Sequence, residues 1–162
     1  MGAVVQRHEG LPVSGEFGST IGINCSGLSC SRPSLSADGR CIAQAATFNR
    51  PPSRQRIEVR DWRADTTQTV AEFDHTVSAR PSLSGDGRYV AYQDGQAEDV
   101  FVWNRTDGTS SGPIEGPSKA ATLVQLSKDG RKVVCLSGSD TYVHDESSGT
   151  DQLMPKRAER GH

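Results

Sequence analysis

The 162-residue sequence has few aromatic residues and no excess of charge of one sign. Aromatic residues make up 6% and hydrophobic residues 33%, which predicts a thin core for this length. Lysine and arginine total 18 against 20 acidic residues, so a strongly basic nucleic-acid-binding protein is excluded. No run of about 18 apolar residues occurs, which excludes a membrane-spanning helix. We therefore expect neither nucleic acid nor membrane as a partner.

Several functional motifs are also missing. The amino terminus, MGAVVQRHEG, has no basic start followed by an apolar stretch, which favours a cytoplasmic protein. The sequence contains no glycine-rich phosphate loop, no calcium-binding loop and no paired C-x-x-C motif. We therefore assign no catalytic residue, no cofactor and no metal site.

The four cysteines give no zinc pattern. Cys25 and Cys30 enclose four residues, and their spacing fits either two thiols or a bridge that closes the loop. Plain thiols are the favoured interpretation, consistent with a reducing compartment. Cys135 lies in the apolar run KVVCLS, where a buried, inert thiol is expected.

The sequence does contain a motif that occurs three times. Its core is L-S-x-D-G-R, and the copies are Arg32–Ala43, Arg80–Ala91 and Leu123–Val134. Asp-Gly between two extended runs predicts a tight hairpin turn, because glycine tolerates the positive φ that such turns need. The serine before it can hydrogen-bond the turn backbone. Each copy therefore predicts a strand, a turn and a second strand.

Further strands follow each hairpin. The third strands end in Asp or Asn, which predicts an Asx turn: Ile57–Asp61, Val100–Asn104 and Thr141–Asp145. The fourth strands are weaker: Thr69–Phe73, with faint signals near Pro113–Glu115 and Gln152–Met154. Four antiparallel strands in each repeat of about 40–50 residues are typical of a propeller blade.

These hairpins and third strands resemble the WD40-like repeats of TolB-type β-propellers over residues 31–154. The family usually has proline before the Asp-Gly pair, and this sequence departs from it with Ala37, Gly85 and Lys128. The resemblance implies an all-β fold, a partial β-propeller of about three four-stranded antiparallel blades plus an incomplete N-terminal blade.

We expect a single propeller-type domain over residues 1–154, followed by a polar tail. It divides into a partial blade (1–30), three blades (31–77, 78–118 and 119–154) and the tail (155–162). Ala3–Gly10 looks like a third strand with its turn, so we expect the sequence to start in the middle of a blade. Two interpretations follow: two chains complete a ring of six to eight blades, or the chain is a fragment or shortened descendant of a longer propeller.

The preferred function is a non-catalytic binding or scaffold module that uses inter-blade loops and is completed by self-association. A homo-oligomer or another protein is the expected partner, and a small ligand also fits. The alternative is a lyase, hydrolase or cyclase with its site at the central channel of a dimer. An evolutionary remnant without independent function is a third interpretation.

Five residues are candidate ligand or partner contacts. His75 lies in the loop between the first two blades, and such loops line one face of a propeller. Arg54 and Arg56 belong to a basic insertion, NRPPSRQR, whose guanidinium groups suit carboxylates and phosphates. Arg32 and Arg80 lie at the start of the repeated motif, and the enzyme alternative uses them together with His75 at the central channel.

Overall fold

The computed structural model describes residues 26–27, 29–48, 54–75, 80–94 and 98–156. These residues form twelve β-strands and no helix, which confirms the all-β prediction. The proposed N-terminal partial blade lies almost entirely outside the described residues. In the described part of the chain, no helix is long and apolar enough to cross a membrane.

The strands form three four-stranded sheets. Sheet I contains β1 (Ser29–Leu35), β2 (Cys41–Phe48), β3 (Arg54–Asp61) and β4 (Thr66–Phe73). Sheet II contains β5 (Ser82–Leu83), β6 (Tyr89–Asp94), β7 (Asp99–Asn104) and β8 (Thr109–Ile114). Sheet III contains β9 (Thr122–Leu126), β10 (Lys132–Ser137), β11 (Asp140–Asp145) and β12 (Thr150–Leu153). The fourth strands that are faint in the sequence are therefore present.

Within each sheet the strands follow chain order and pair antiparallel with their neighbours. The first strands of successive sheets contact each other, β1 with β5 and β5 with β9. The sheets are therefore stacked side by side with their first strands together, which is the arrangement of propeller blades. The structure is a partial propeller of three blades.

The repeated hairpin is held by one serine and one aspartate. In sheet I, the Ser36 hydroxyl donates to Asp38 at 2.7 Å and accepts from the Cys41 amide at 2.9 Å. Asp38 in turn accepts from the Arg40 amide at 3.0 Å. The same three bonds recur in the other hairpins, around Ser84 and Ser127. These contacts explain why serine, aspartate and glycine recur together.

Adjacent sheets are joined by a backbone ladder through the residue before each aspartate. The Ala37 amide donates to the Gly85 carbonyl, and the Gly85 amide donates to the Lys128 carbonyl, both at 2.8 Å. A Cβ atom added to Gly85 would lie 2.4 Å from the Lys128 side chain. The position that usually holds proline in the TolB-type family thus supplies an amide donor here, which proline lacks.

The core lies between the sheets. One cluster joins sheets I and II, and it includes Ile57, Val59, Val90 and Trp103. A second joins sheets II and III, and it includes Val100, Val133 and Tyr142. Each sheet contributes only a few apolar side chains, so the low hydrophobic content is spread over thin interfaces instead of one large core.

The expectation of plain thiols holds for two cysteines and is wrong for a third. Cys41 and Cys135 are buried free thiols. Cys30, at the start of β1, is disulfide-bonded, and its partner lies outside the described residues. This bridge removes the support that the cysteines gave to a reducing compartment.

Candidate functional site

The loop-end cleft lies between sheets I and II, at the end of the sheets opposite the Asp-Gly turns. Its volume is 520 Å³, and it is lined by Arg54, Glu72, Phe73, Asp74, His75 and Asp94. Sheet I supplies the start of β3, the end of β4 and the residues just after it, whereas sheet II supplies the end of β6. The cleft therefore depends on both sheets being packed together.

His75 is held between two carboxylates at this cleft. Its Nδ1 lies 3.0 Å from Asp74 Oδ1, and its Nε2 lies 3.3 Å from Asp94 Oδ1. The hydrogen bond with His75 is the largest influence lowering the pKa of Asp74, and the Arg54 charge adds to it. Asp74 is thus placed to stay ionised beside the imidazole.

Aromatic rings fix the position of the imidazole. The Phe73 ring lies 5.4 Å from His75 and 6.3 Å from Tyr92. Tyr92 stacks on Phe101 at 5.5 Å. The ring contacts run from Phe73 of sheet I to Tyr92 and Phe101 of sheet II, so they hold His75 at the boundary between the two sheets. The site combines a rigid apolar base with a charged rim.

The two arginines of the basic insertion have different surroundings. Arg54 is exposed on the rim of the cleft. Arg56 donates from Nε to Glu72 at 2.7 Å, and its guanidinium lies 5.0 Å from the centre of the Phe48 ring. Arg56 therefore braces β3 against its neighbours, whereas the side chain of Arg54 is exposed at the cleft.

Arg32 and Arg80 lie away from this cleft. Arg32 is exposed at a bulge in β1, where its φ is +57°. A positive φ is uncommon for a non-glycine residue and here accompanies the irregular pairing with β2. Arg80 is exposed just before β5. The structure brings His75 and Arg54 together and leaves these two arginines apart from them.

At the opposite end of the sheets, the buried carboxylate of Asp61 joins sheets I and II. Asp61 accepts from Arg40 Nε at 3.0 Å and from the Ala64 amide at 3.0 Å. Arg105 of sheet II contacts the same carboxylate at 3.5 Å and donates to Gln68 at 2.5 Å. The Arg40 hydrogen bond is the largest influence holding the pKa of Asp61 at about 2. This network is structural in character, because its charges are mutually satisfied.

Among the described residues, no group of three or more histidine, cysteine, aspartate or glutamate side chains could hold a metal ion. The described lining of the cleft contains no serine, cysteine or lysine that could act as a nucleophile. Its charged rim is suited to polar recognition.

Sequence reasoning did not find Asp94 or the Asp61–Arg105 contact. The positions equivalent to Asp94 hold Ala46 and Ser137, so the repeats give no signal there. Asp61 was recognised only as a turn residue, because its arginine partner belongs to another sheet. Both features arise from contacts between sheets, which the repeat pattern does not encode.

Comparison with solved structures places the fold among β-propellers. No protein-family model matches the sequence, and no curated protein matches it. The β-propeller domain of the Trilobed protease from Pyrococcus furiosus is similar, with a TM-score of 0.58 at 17% identity. That match covers 78% of this chain and 43% of the protease domain.

Two further solved structures are also similar to this chain. The Cps50 (Swd1) β-propeller domain of Myceliophteria thermophila has a TM-score of 0.58 at 14% identity, covering 85% of this chain and 42% of that one. A putative TolB from Agrobacterium tumefaciens has a TM-score of 0.54 at 16% identity, covering 80% of this chain and 50% of that one. This chain thus spans half or less of each, and at these identities the likeness shows the fold alone. The described chain is a partial β-propeller with TolB-like and WD40-like neighbours.

Proposed function

We propose that this protein is a binding module that contacts a protein partner through the loop-end cleft. The observation that carries the proposal is the convergence of charged groups from two sheets around the fixed imidazole of His75. Arg54 supplies an exposed cation for a partner's carboxylate, and Asp74 and Asp94 supply anions for its basic groups. Propeller folds commonly mediate protein interactions, which supports this role.

The proposed module is completed by self-association. Sheets at the ends of the described stack have no neighbouring described sheet on one side, and exposed apolar sheet surface favours association. We also propose a cytoplasmic location. The disulfide of Cys30 opposes it, and fractionation of cells that express the tagged chain would decide between the cytoplasm and an oxidising compartment.

No specific contact among the described residues favours the enzyme alternative. Its candidate residues are Arg32, Arg80 and His75, and the structure does not bring them together. His75 lines the cleft, whereas Arg32 and Arg80 are exposed and do not line it. The neighbours include peptidases as well as other propellers, so their names do not choose between binding and catalysis. The binding role is therefore the conclusion that the cleft geometry supports best.

The test is partner capture with cleft variants of the full chain. Wild type, the double variant Arg54→Glu/His75→Ala and the control Lys156→Glu are immobilised and exposed to lysate of the source cells. Lys156 is an exposed cation next to Asp140 of sheet III, so it matches the charge change away from the cleft. We expect the double variant to lose the proteins that wild type and the control retain. Equal capture by all three, with unchanged circular dichroism, would contradict a role for the cleft.

A further inference from the structure

A second cavity, the hairpin-end cavity, lies between sheets II and III at the end of the sheets that carries the Asp-Gly turns. Its volume is about 360 Å³, within the range of about 300–1,000 Å³ that is usual for small-ligand pockets. The lining includes Tyr89, Val102, Asn104, Ser111, Arg131 and Glu146. It shares no described lining residue with the loop-end cleft, so what it binds is independent of the proposed function.

The corresponding place between sheets I and II already holds a guanidinium group. Arg105 follows the third strand of sheet II, and its side chain crosses to sheet I. It donates from Nε to Gln68 at 2.5 Å and from Nη1 to Cys41 Sγ at 3.1 Å, and its Nη2 lies 3.5 Å from the Asp61 carboxylate. Side chains of one sheet thus surround a planar cation that the next sheet supplies.

The residues of the hairpin-end cavity are the repeat equivalents of that site. Each equivalence follows from the same strand pairing in sheets I and II. The equivalent pairs are Cys41 and Tyr89, Asp61 and Asn104, and Gln68 and Ser111. Glu146 of sheet III stands where sheet II has Arg105. The cation at one boundary is therefore replaced by an anion at the other, beside side chains that form hydrogen bonds in both places.

The carboxylate of Glu146 is incompletely paired within the described chain. Its Oε2 accepts from the Ser111 hydroxyl at 2.7 Å. Its Oε1 is buried and has no hydrogen-bond partner among the described residues, and only 19% of the side chain is exposed. A carboxylate that has lost most of its water needs other donors to replace it. The last torsion of glutamate is soft, so both oxygens can turn towards a cation in the cavity.

The nearby imidazole does not neutralise this carboxylate. His144 Nε2 lies 3.7 Å from Glu146 Oε1, and its Nδ1 lies 2.7 Å from Asp151 Oδ1. Even a protonated imidazole would leave a net charge of −1, because two carboxylates share one cation. Arg131 is exposed in the cavity wall and forms no ion pair within the described ranges. The carboxylate of Glu146 is therefore available to an external cation.

We propose that the hairpin-end cavity binds a guanidinium group, with the Glu146 carboxylate as its counter-ion. A planar guanidinium can donate two parallel hydrogen bonds to a carboxylate, which gives this cation an advantage over a compact ammonium group. The Ser111 hydroxyl orients the carboxylate. The half-buried Tyr89 and the buried Val102 form an apolar wall for the methylene groups of an arginine side chain. The external ligand thus takes the role that Arg105 has at the neighbouring boundary.

The experiment is a titration of the isotope-labelled full chain, followed residue by residue in two-dimensional amide NMR spectra. The probe is the blocked tripeptide acetyl-Gly-Arg-Gly-amide, and its neutral match has citrulline in place of arginine. We expect the arginine peptide to shift the amide signals of Ser111 and Glu146, and the citrulline peptide to bind about tenfold more weakly or less. Methylguanidinium separates the two sources of this group. Equal affinity would indicate a small compound and tighter binding of the tripeptide an arginine within a peptide, and both results support the site.

Three variants test the role of the charge. Glu146→Gln keeps the shape and should weaken binding of the arginine peptide about tenfold. Glu115→Gln is the matched control, since this exposed glutamate does not line the cavity, and it should bind as wild type does. Arg131→Gln removes a cation from the cavity wall and should strengthen binding.

Several results would overturn the inference. Equal binding of the arginine and citrulline peptides would show that the charge is not recognised, and unchanged affinity in Glu146→Gln would remove the counter-ion. No shift in wild type would also overturn it. Shifts confined to His75 and Asp94 would place the guanidinium in the loop-end cleft, which would overturn this site and support the proposed function. Partner capture that depends on the loop-end cleft would stand in each of these cases.

Discussion

The buried carboxylate of Asp61 should make folding sensitive to acid. Asp61 is almost completely buried and bonds to Arg40 of its own sheet and, more distantly, to Arg105 of the next sheet. These cations and the Ala64 amide hold its pKa at about 2, against 3.8 for an ordinary aspartate. Replacement by asparagine keeps the shape and removes the charge. We therefore expect Asp61→Asn to lower the free energy of unfolding at neutral pH.

The size and the pH range of this effect follow from the pKa. A shift from 3.8 to about 2 corresponds to about 2 kcal/mol of stabilisation by the ionised form. Because the folded pKa is lowered, this stabilisation is complete above the unfolded pKa and is lost as the pH falls from about 4 to 2. Wild type should therefore exceed Asp61→Asn by about 2 kcal/mol at pH 7, and the two should converge near pH 2.

Urea unfolding followed by tryptophan fluorescence between pH 7 and 2 measures this difference. The control is Asp145→Asn, the same repeat position in sheet III. Asp145 pairs with Lys132 at 2.8 Å, and this bond is the largest influence lowering its pKa, but the two side chains are 26% and 54% exposed. Solvent screens such a pair, so the control should lose clearly less stability than Asp61→Asn. An equal loss in both variants, or a difference for Asp61→Asn that persists at pH 2, would refute the reasoning.

Three further predictions concern the hairpins, the sheet interface and the buried thiol. Ser84→Ala removes the fully buried hydroxyl that accepts from the Tyr89 amide, so thermal or urea unfolding should show a loss of about 1–3 kcal/mol. Gly116→Ala places a Cβ atom 2.5 Å from the Tyr142 ring, so we expect the free energy of unfolding to fall by about 1–3 kcal/mol in the same measurement. An unchanged free energy of unfolding would mean that the ring moves freely. Burial raises the pKa of the Cys135 thiol to about 11. This cysteine should therefore resist alkylation at pH 8 in the native protein and react after denaturation. Rapid alkylation of the native protein would contradict the burial of this thiol.

The hairpins could be predicted from the sequence because their contacts are local. Ser36, Asp38 and Cys41 meet within a few residues of chain, and the same bonds recur at each L-S-x-D-G-R copy. Repetition at a propeller-like spacing then indicates how many sheets to expect. The fourth strand of sheet III is faint in the sequence for the opposite reason, since Thr150–Leu153 is an exposed edge with no alternating apolar residues. Its position depends on pairing with β11.

The candidate site was only partly predictable because it lies between sheets. His75 and Arg54 were identified from their place in loops and insertions, and they line one cleft. No sequence pattern indicates Asp94, because its carboxylate approaches His75 only when sheet II packs against sheet I. Arg80 was selected because it belongs to the repeated motif, but it does not line that cleft. Repetition therefore identifies residues that maintain the fold and gives little information on residues that converge from different sheets.

The residue that follows each third strand shows where the repeats diverge in chemistry. Trp62, Arg105 and Glu146 occupy the same position, and each backbone amide there donates to the arginine carbonyl of its own hairpin. Their side chains act differently: Trp62 donates to Gly39 within its sheet at 2.7 Å, whereas Arg105 donates to Gln68 of the preceding sheet. Glu146 accepts from Ser111 of the preceding sheet at 2.7 Å. An identical backbone thus supports an indole, a cation and an anion, because the backbone bonds fix the turn whichever side chain is present. Residues outside the L-S-x-D-G-R core can therefore differ from one boundary between sheets to the next, and they determine which groups each boundary contacts. The described lining of the cleft around His75 consists of such residues.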